Sequence, residues 1–230
     1  MILEVIATSV LDAKLAQEYG VNRIELISGI MEGGVTPSYG LIEQVVRAVD
    51  IPVNVMLRPH ANSFCYDLDD LEVMVRDIRM IRELGAAGTV MGMLNLDKQI
   101  DIPALEMLLS EAGNMAVTFH RAFDELEDQQ AALQTLAKYP AVHRVLTSGG
   151  KSNVLHAKQE IAELVKTSGD LPIEILAGSG LSVEKLDDFI RQTAVHEVHM
   201  GTGVRVNNQA LQPVDPKKLQ AAVSILSHFK

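Results

Sequence analysis

Short runs rich in β-branched residues alternate with longer runs of helical period, and the alternation repeats eight times in 230 residues. The short runs are ILEVI (2–6), RIELI (23–27), VNVML (53–57), TVMG (89–92), AVTFH (116–120), RVLTS (144–148), IEILA (173–177) and EVHM (197–200). Strict strand-then-helix order implies a parallel sheet with helical crossovers. An open doubly wound sheet would show the same order. Eight units in so short a chain favour closure, so the expected fold is α/β, a single (β/α)8 TIM barrel spanning residues 1–230.

Local signals agree with this reading. In DLDDLEVMVRDIRMIRELG, Leu71, Met74, Val75, Ile78 and Ile81 recur every three or four residues and form one apolar stripe. Asp67 is placed to cap that helix, and Gly85 can take the left-handed conformation past its end. Ser9 and Ser182 are similar N-cap candidates. The even strands share a lead-in: GVNRIEL, GAAGTVM, PAVHRVLTS and AVHEVHM. Aligning these puts Glu25, Val90, Leu146 and His199 at one equivalent position, on one side of the sheet. No Pro/Gly/Ser-rich linker divides the chain.

Strand alternation sends Glu4, Glu25, Arg58, His120, Glu174 and His199 inward, where an ordinary barrel carries Val, Ile and Leu. Buried charge is expensive unless paired. Two readings follow: a catalytic cluster at the mouth formed by the strand C-termini, or a structural network of Glu with Arg and His. Glu4, early in its strand, suits the structural role. In the catalytic reading Arg58 holds an anion and His120 transfers a proton. Glu25 or Glu174 then orients a partner or acts as second acid or base, with His199 beside them.

The run TFHRAFD (118–124) adds Arg121, which could grip a carboxylate or phosphate, and Asp124, which could orient it. Equally, these two could pair to hold a loop. Glycine turns follow the last three strands: TSGG with Ser148 and Gly149, AGSG with Gly178, Ser179 and Gly180, and MGTG with Gly201 and Thr202. Backbone N–H groups in such turns can bind an anion, although tight βα-turns need glycine for other reasons too. The loops 28–40 and 62–67 are candidate lids.

The chain carries 30 acidic and 20 basic residues, a formal charge of −10, which argues against binding nucleic acid or anionic membranes. Cys65 is the lone cysteine, so a disulfide framework and a CxxC metal site are both excluded. No run approaches the ~20 apolar residues of a membrane span, and the N-terminus lacks the basic region of a signal peptide. A cytoplasmic protein is expected. Ten methionines offer thioethers that suit Cu(I), but methionine also fills irregular cores.

RIELIS followed by EGGVTPSYG, VMLRP, VTFHRAFD and VLTSGG strongly resembles the CutC family of copper homeostasis proteins, essentially along the whole chain. The resemblance implies a cytoplasmic (β/α)8 barrel, a homodimer or higher homo-oligomer, and a role in copper binding or trafficking, with copper as the implied ligand. Members with proposed copper-binding cysteines carry them near the ends of strands one and two; Ile6 and Ile27 stand there in this chain. The polar mouth suggests a different function: an enzyme acting on a small anionic or phosphorylated metabolite by acid/base chemistry. A non-catalytic metabolite sensor or scaffold is the third reading.

Overall fold

Register decides closure in a sheet of this kind. In the computed structural model, which describes residues 1–229, eight parallel strands pair in sequence order and the last returns to the first. The strands are β1 (Ile2–Ala7), β2 (Arg23–Leu26), β3 (Val53–Met56), β4 (Gly88–Met91), β5 (Ala116–Phe119), β6 (Val142–Thr147), β7 (Glu174–Ala177) and β8 (Glu197–Met200). The helices after them are α1 (Val10–Glu18), α2 (Tyr39–Ala48), α3 (Leu68–Glu83), α4 (Ile102–Ala112), α5 (Gln129–Leu136), α6 (Lys158–Ser168), α7 (Val183–Thr193) and α8 (Pro216–Leu226). The fold is the (β/α)8 barrel expected from the alternation.

The cap signals were real at α1 and α3. The Ser9 hydroxyl accepts from the Asp12 N–H at 3.1 Å, and Asp67 and Asp70 form a reciprocal capping box. Gly85 follows α3 with φ of +83°. Ser182 stands at the N-cap of α7, but its hydroxyl makes no capping bond to the backbone.

Alternation divides each strand between two environments. Outward residues such as Leu3, Val5, Ile24, Leu26, Val117 and Val145 pack under the helices in the main core. Inward residues make two unlike layers. Nearer the mouth, Ile27, Met56 and Val90 form a small apolar cluster with Ile6 and Ile30.

Deeper lies a charged layer. Arg23 sits between Glu4 at 2.5 Å and Glu197 at 2.7 Å. Arg144 reaches Glu197 at 3.1 Å, and the Asn54 amide donates to Glu4 at 3.2 Å. Two arginines against two glutamates leave the layer formally neutral. An isolated buried ion would cost several kcal/mol, and it is this pairing that makes the layer tolerable. Gly88 makes room for it, since a Cβ there would collide with Asn54 Oδ1 and the Ala116 carbonyl.

Candidate functional site

Above the charged layer the mouth opens into a cavity of about 420 Å3, lined by Glu25, Arg58, Phe64, His120, His199 and residues of the last two turns. The end of β5 brings His120 into it. The ring occupies the space that a side chain on residue 92 would fill, because a Cβ on Gly92 would collide with His120 Nδ1. That nitrogen accepts from the Ala122 N–H at 3.2 Å, so the neutral ring carries its proton on Nε2. Nε2 is buried and has no partner among the described residues. Burial, and then the nearby Arg58 charge, push the His120 pKa down to about 3, so the ring is a neutral N–H donor. Phe64 packs against it at 4.8 Å between ring centroids.

Glu25 and His199 face each other across β2 and β8. His199 Nδ1 is held by Glu4 Oε1 at 2.8 Å, and its Nε2 lies 3.7 Å from Glu25 Oε2. Burial raises the Glu25 carboxyl to about 7; the His199 charge pulls it back and the Glu4 charge adds to the rise. Glu25 Oε1 is buried without a partner among the described residues. For Glu4, burial acts upward too, but the charge of Arg23 and the hydrogen bond from His199 hold it well below the usual carboxylate range. Burial alone would lower His199, yet the Glu25 charge and the Glu4 hydrogen bond raise it.

Arg58 closes one wall. Its Nη1 donates to the carbonyls of Glu32 at 3.2 Å and Gly34 at 3.3 Å, which draws the loop after β2 over the mouth. Its guanidinium stacks 4.6 Å from the Phe64 ring centroid, and its Nε has no partner among the described residues. Part of each candidate lid therefore borders the cavity, through Glu32 and Phe64.

Several expectations need correction. Glu174 is exposed, at the first residue of β7, far from the strand C-termini that form the mouth. It has the inward parity but the wrong depth. Ser148 and Gly149 are buried in a knot of side-chain bonds rather than aimed at a ligand. Asp124 accepts from the Ser148 hydroxyl at 2.8 Å and the Gly150 N–H at 3.2 Å, while the Gly149 N–H goes to the Thr147 hydroxyl at 2.9 Å. Arg121 joins the same knot through Asp124 at 2.8 Å and Ser148 at 3.0 Å, although it also edges the cavity. Gly178 is buried, with its N–H spent on the Thr147 carbonyl, and it packs behind His199.

Ser179, Gly180, Gly201 and Thr202 do border the cavity. The N–H groups of Ser179, Gly180 and Thr202 have no acceptor among the described residues. Sequence reasoning overlooked Arg23, Asn54, Arg144 and Glu197. Their signal was available, since each lies two residues before an inward position on its strand. It also overlooked Arg205, fully buried, which clamps Asp12 at 3.1 Å and the Ile6 carbonyl at 3.1 Å.

Comparison with known proteins gives a consistent picture. The CutC family model matches residues 1–204. A CutC family protein of Klebsiella pneumoniae strain 342 is 43% identical over 202 residues, covering 88% of this chain and 80% of its own. The crystal structure of a Streptococcus agalactiae CutC, whose name refers to copper homeostasis, superposes with a TM-score of 0.81 at 30% identity, over 86% of this chain and 97% of that one. A phosphoribosyl anthranilate isomerase from Thermococcus kodakaraensis superposes with a TM-score of 0.62 at 16% identity, over 98% of each chain, a likeness of fold alone.

The residues at hand do not fit copper(I). Ile6 and Ile27 both line the cavity and offer no donor atom. Among the described residues, Glu4, Glu25 and His199 are the ligand-type group that converges, with donor atoms within 4.8 Å of one another. These are oxygen and nitrogen donors, whereas Cu(I) favours thiolate and thioether; the cavity lining offers a single thioether, Met56, packed in the apolar cluster with Ile27 and Val90, and no thiolate. Glu4 is moreover already bound to Arg23, Asn54 and His199. The Cys65 thiol lies outside this group and donates to the Asn95 carbonyl at 3.3 Å. No helix among the described residues is long and apolar enough to cross a membrane.

Proposed function

This chain belongs to the CutC family, and from that premise we propose that its mouth binds a small anionic metabolite and works on it by acid/base chemistry. One observation carries the reading. Three buried polar atoms without partners among the described residues, Glu25 Oε1, Arg58 Nε and His120 Nε2, belong to side chains that line one cavity. Burying such atoms unsatisfied costs roughly 1–3 kcal/mol each, a cost that a bound ligand can repay. The pair Glu25 and His120 also has its proton affinities pushed apart, one up to about 7 and the other down to about 3. That divergence suits an acid/base partner and a neutral hydrogen-bond donor. The free N–H groups of Ser179, Gly180 and Thr202 supply the anion end, at the turns where barrels often bind phosphate.

Ligand-observed NMR with phosphorylated and carboxylated metabolites tests this reading. We expect binding that weakens at least tenfold in Arg58→Ala and changes its ligand profile in His120→Ala. Absence of any anionic ligand, or binding indifferent to both substitutions, overturns it.

The copper link in the name of the Streptococcus agalactiae protein reaches this chain as a role at the level of the family. In our reading the chain serves such a role through a metabolite rather than a resident ion. Titration with Cu(I) against a competing chelator checks this, and affinity above the background of surface histidines would count against it. The cytoplasmic setting and homo-oligomeric assembly implied by the family belong to the same proposal; light scattering of the purified chain measures the assembly.

A further inference from the structure

We propose that the reaction at this mouth is proton transfer at a carbon next to a carbonyl group, with Glu25 as the base and His120 and Arg58 holding the oxygen that becomes negative. The inference rests on the acid/base reading above and deepens it to a reaction and a substrate class.

The argument begins with what the cavity lacks. Covalent catalysis needs an activated nucleophile. The Cys65 thiol is not among the cavity's lining groups, and the Ser179 hydroxyl is spent on the Ser152 carbonyl at 3.0 Å. A glycosidase needs two usable carboxyl groups flanking the bond that breaks. Glu4 has both oxygens engaged by Arg23, Asn54 and His199, and the other carboxyls that line the cavity, Glu32 and Glu125, are exposed where Glu25 is buried.

What remains is a desolvated carboxyl, a neutral imidazole N–H and a guanidinium lining one cavity. A carbon acid next to a carbonyl is weak, so its removal needs a base with affinity near the working pH and donors placed for the developing oxyanion. Glu25 Oε1 is the unoccupied base atom. His120 Nε2–H is a donor already stripped of water, fixed in its tautomer by Ala122. A neutral donor stabilises the enolate oxygen without competing for the proton that Glu25 must take.

The step balances within the substrate and Glu25. The carboxylate takes the proton. The C–H electron pair becomes the carbon–carbon π bond, and the carbonyl π pair moves onto the oxygen. Return of the proton to the same carbon gives exchange; where that carbon bears a hydroxyl, passage of the hydroxyl proton to the enolate oxygen and return of the carbon proton to the former carbonyl carbon gives isomerisation, with no net oxidation and no co-reactant. His199, 3.7 Å behind Glu25 and itself held by Glu4, is a positioning residue that steadies the carboxylate. The free N–H groups of the last two turns suit a phosphate or carboxylate at the other end. The expected substrate class is therefore an anionic carbonyl compound with a hydrogen on the adjacent carbon. The cavity of about 420 Å3 is within the range of small-molecule sites.

Hydrogen exchange tests the proposal directly. The full-length protein is incubated in D2O with dihydroxyacetone phosphate, ribulose 5-phosphate or pyruvate as probes, and deuterium at the carbon next to the carbonyl is followed by NMR, with binding measured in parallel. We expect at least one probe to exchange tenfold or more faster than in buffer. Glu25→Gln should slow that exchange at least 100-fold and leave binding within threefold. Should Glu25→Gln fail to fold, the wild-type profile decides. The exchange rate must rise through neutral pH as Glu25, faced by His199, Glu4 and Arg23, loses its proton, and a flat profile overturns the proposal. Binding without exchange overturns the proton transfer and leaves the anion site standing. Neither binding nor exchange overturns both.

Discussion

Replacing Glu25 by glutamine keeps the shape of the side chain and removes its proton chemistry, so the effect on stability can be worked out before any substrate is known. An unfolded glutamate loses its proton near 4.5, whereas burial holds Glu25 in the barrel to about 7. Between those values the native chain binds a proton that the unfolded chain has released. Stability contributed by this group is therefore present in full below pH 4.5 and is lost as pH rises through 7. At about 1.4 kcal/mol per pH unit the loss amounts to about 3 kcal/mol by pH 8. Glutamine does not incur it. The attraction of His199 for the Glu25 carboxylate works against this gain, since glutamine forgoes it, and the value of about 7 already includes it. Urea denaturation of both proteins at pH 5, 6, 7 and 8 measures the difference. Between pH 5 and 8 the variant should gain on the wild type by about 2.5 kcal/mol, most of it below pH 7, at unchanged m-value. A difference flat within ~0.5 kcal/mol would refute the reasoning, since it would mean that Glu25 titrates like a solvated carboxyl.

Three further outcomes follow from the packing. Arg23→Ala leaves Glu4 and Glu197 buried with half their pairing and should cost about 3–5 kcal/mol in urea unfolding. Gly92→Ala should displace the His120 ring, with a loss of about 1–3 kcal/mol and a changed His120 ring signal by NMR; an unchanged signal would show that the close fit is not real. Ile6→Cys combined with Ile27→Cys puts two thiols on the cavity wall. Chelator competition should then show Cu(I) binding in the double variant and none above background in the wild type.

The barrel was legible because alternation of period two and period 3.6 survives in every unit. Inward parity was equally legible, and it brought Glu25, Arg58, His120 and His199 to one cavity. Depth was not, and Glu174 shows why. Parity tells which side of a strand a residue faces, but its height depends on the stagger between strands. That stagger pairs Glu174 with Arg144 at the start of β7. Parity also marked Arg23, Asn54 and Glu197 as inward, in the layer of Glu4, but only the stagger shows that they meet there. Ser148 was misread for a different reason. Its partner Asp124 comes from the loop after the neighbouring strand, and no local pattern reports that two loops will meet.

The neutral layer of Arg23, Glu4, Glu197 and Arg144 also bears on how such a chain can change over generations. The four charges arise on β1, β2, β6 and β8, so any one of them is answerable to strands far away in the sequence. Losing a single member strands a buried charge at a cost of about 3–5 kcal/mol, a large part of the roughly 5–15 kcal/mol that holds a domain together. Drift through this layer has to proceed by paired replacements, such as a glutamate and an arginine giving way together to apolar residues. Ser179, Gly180, Gly201 and Thr202, which border the mouth, carry no charge and no such debt. Divergence is thus steered upward, towards the loops that meet the ligand, while the floor beneath them stays locked to its own past.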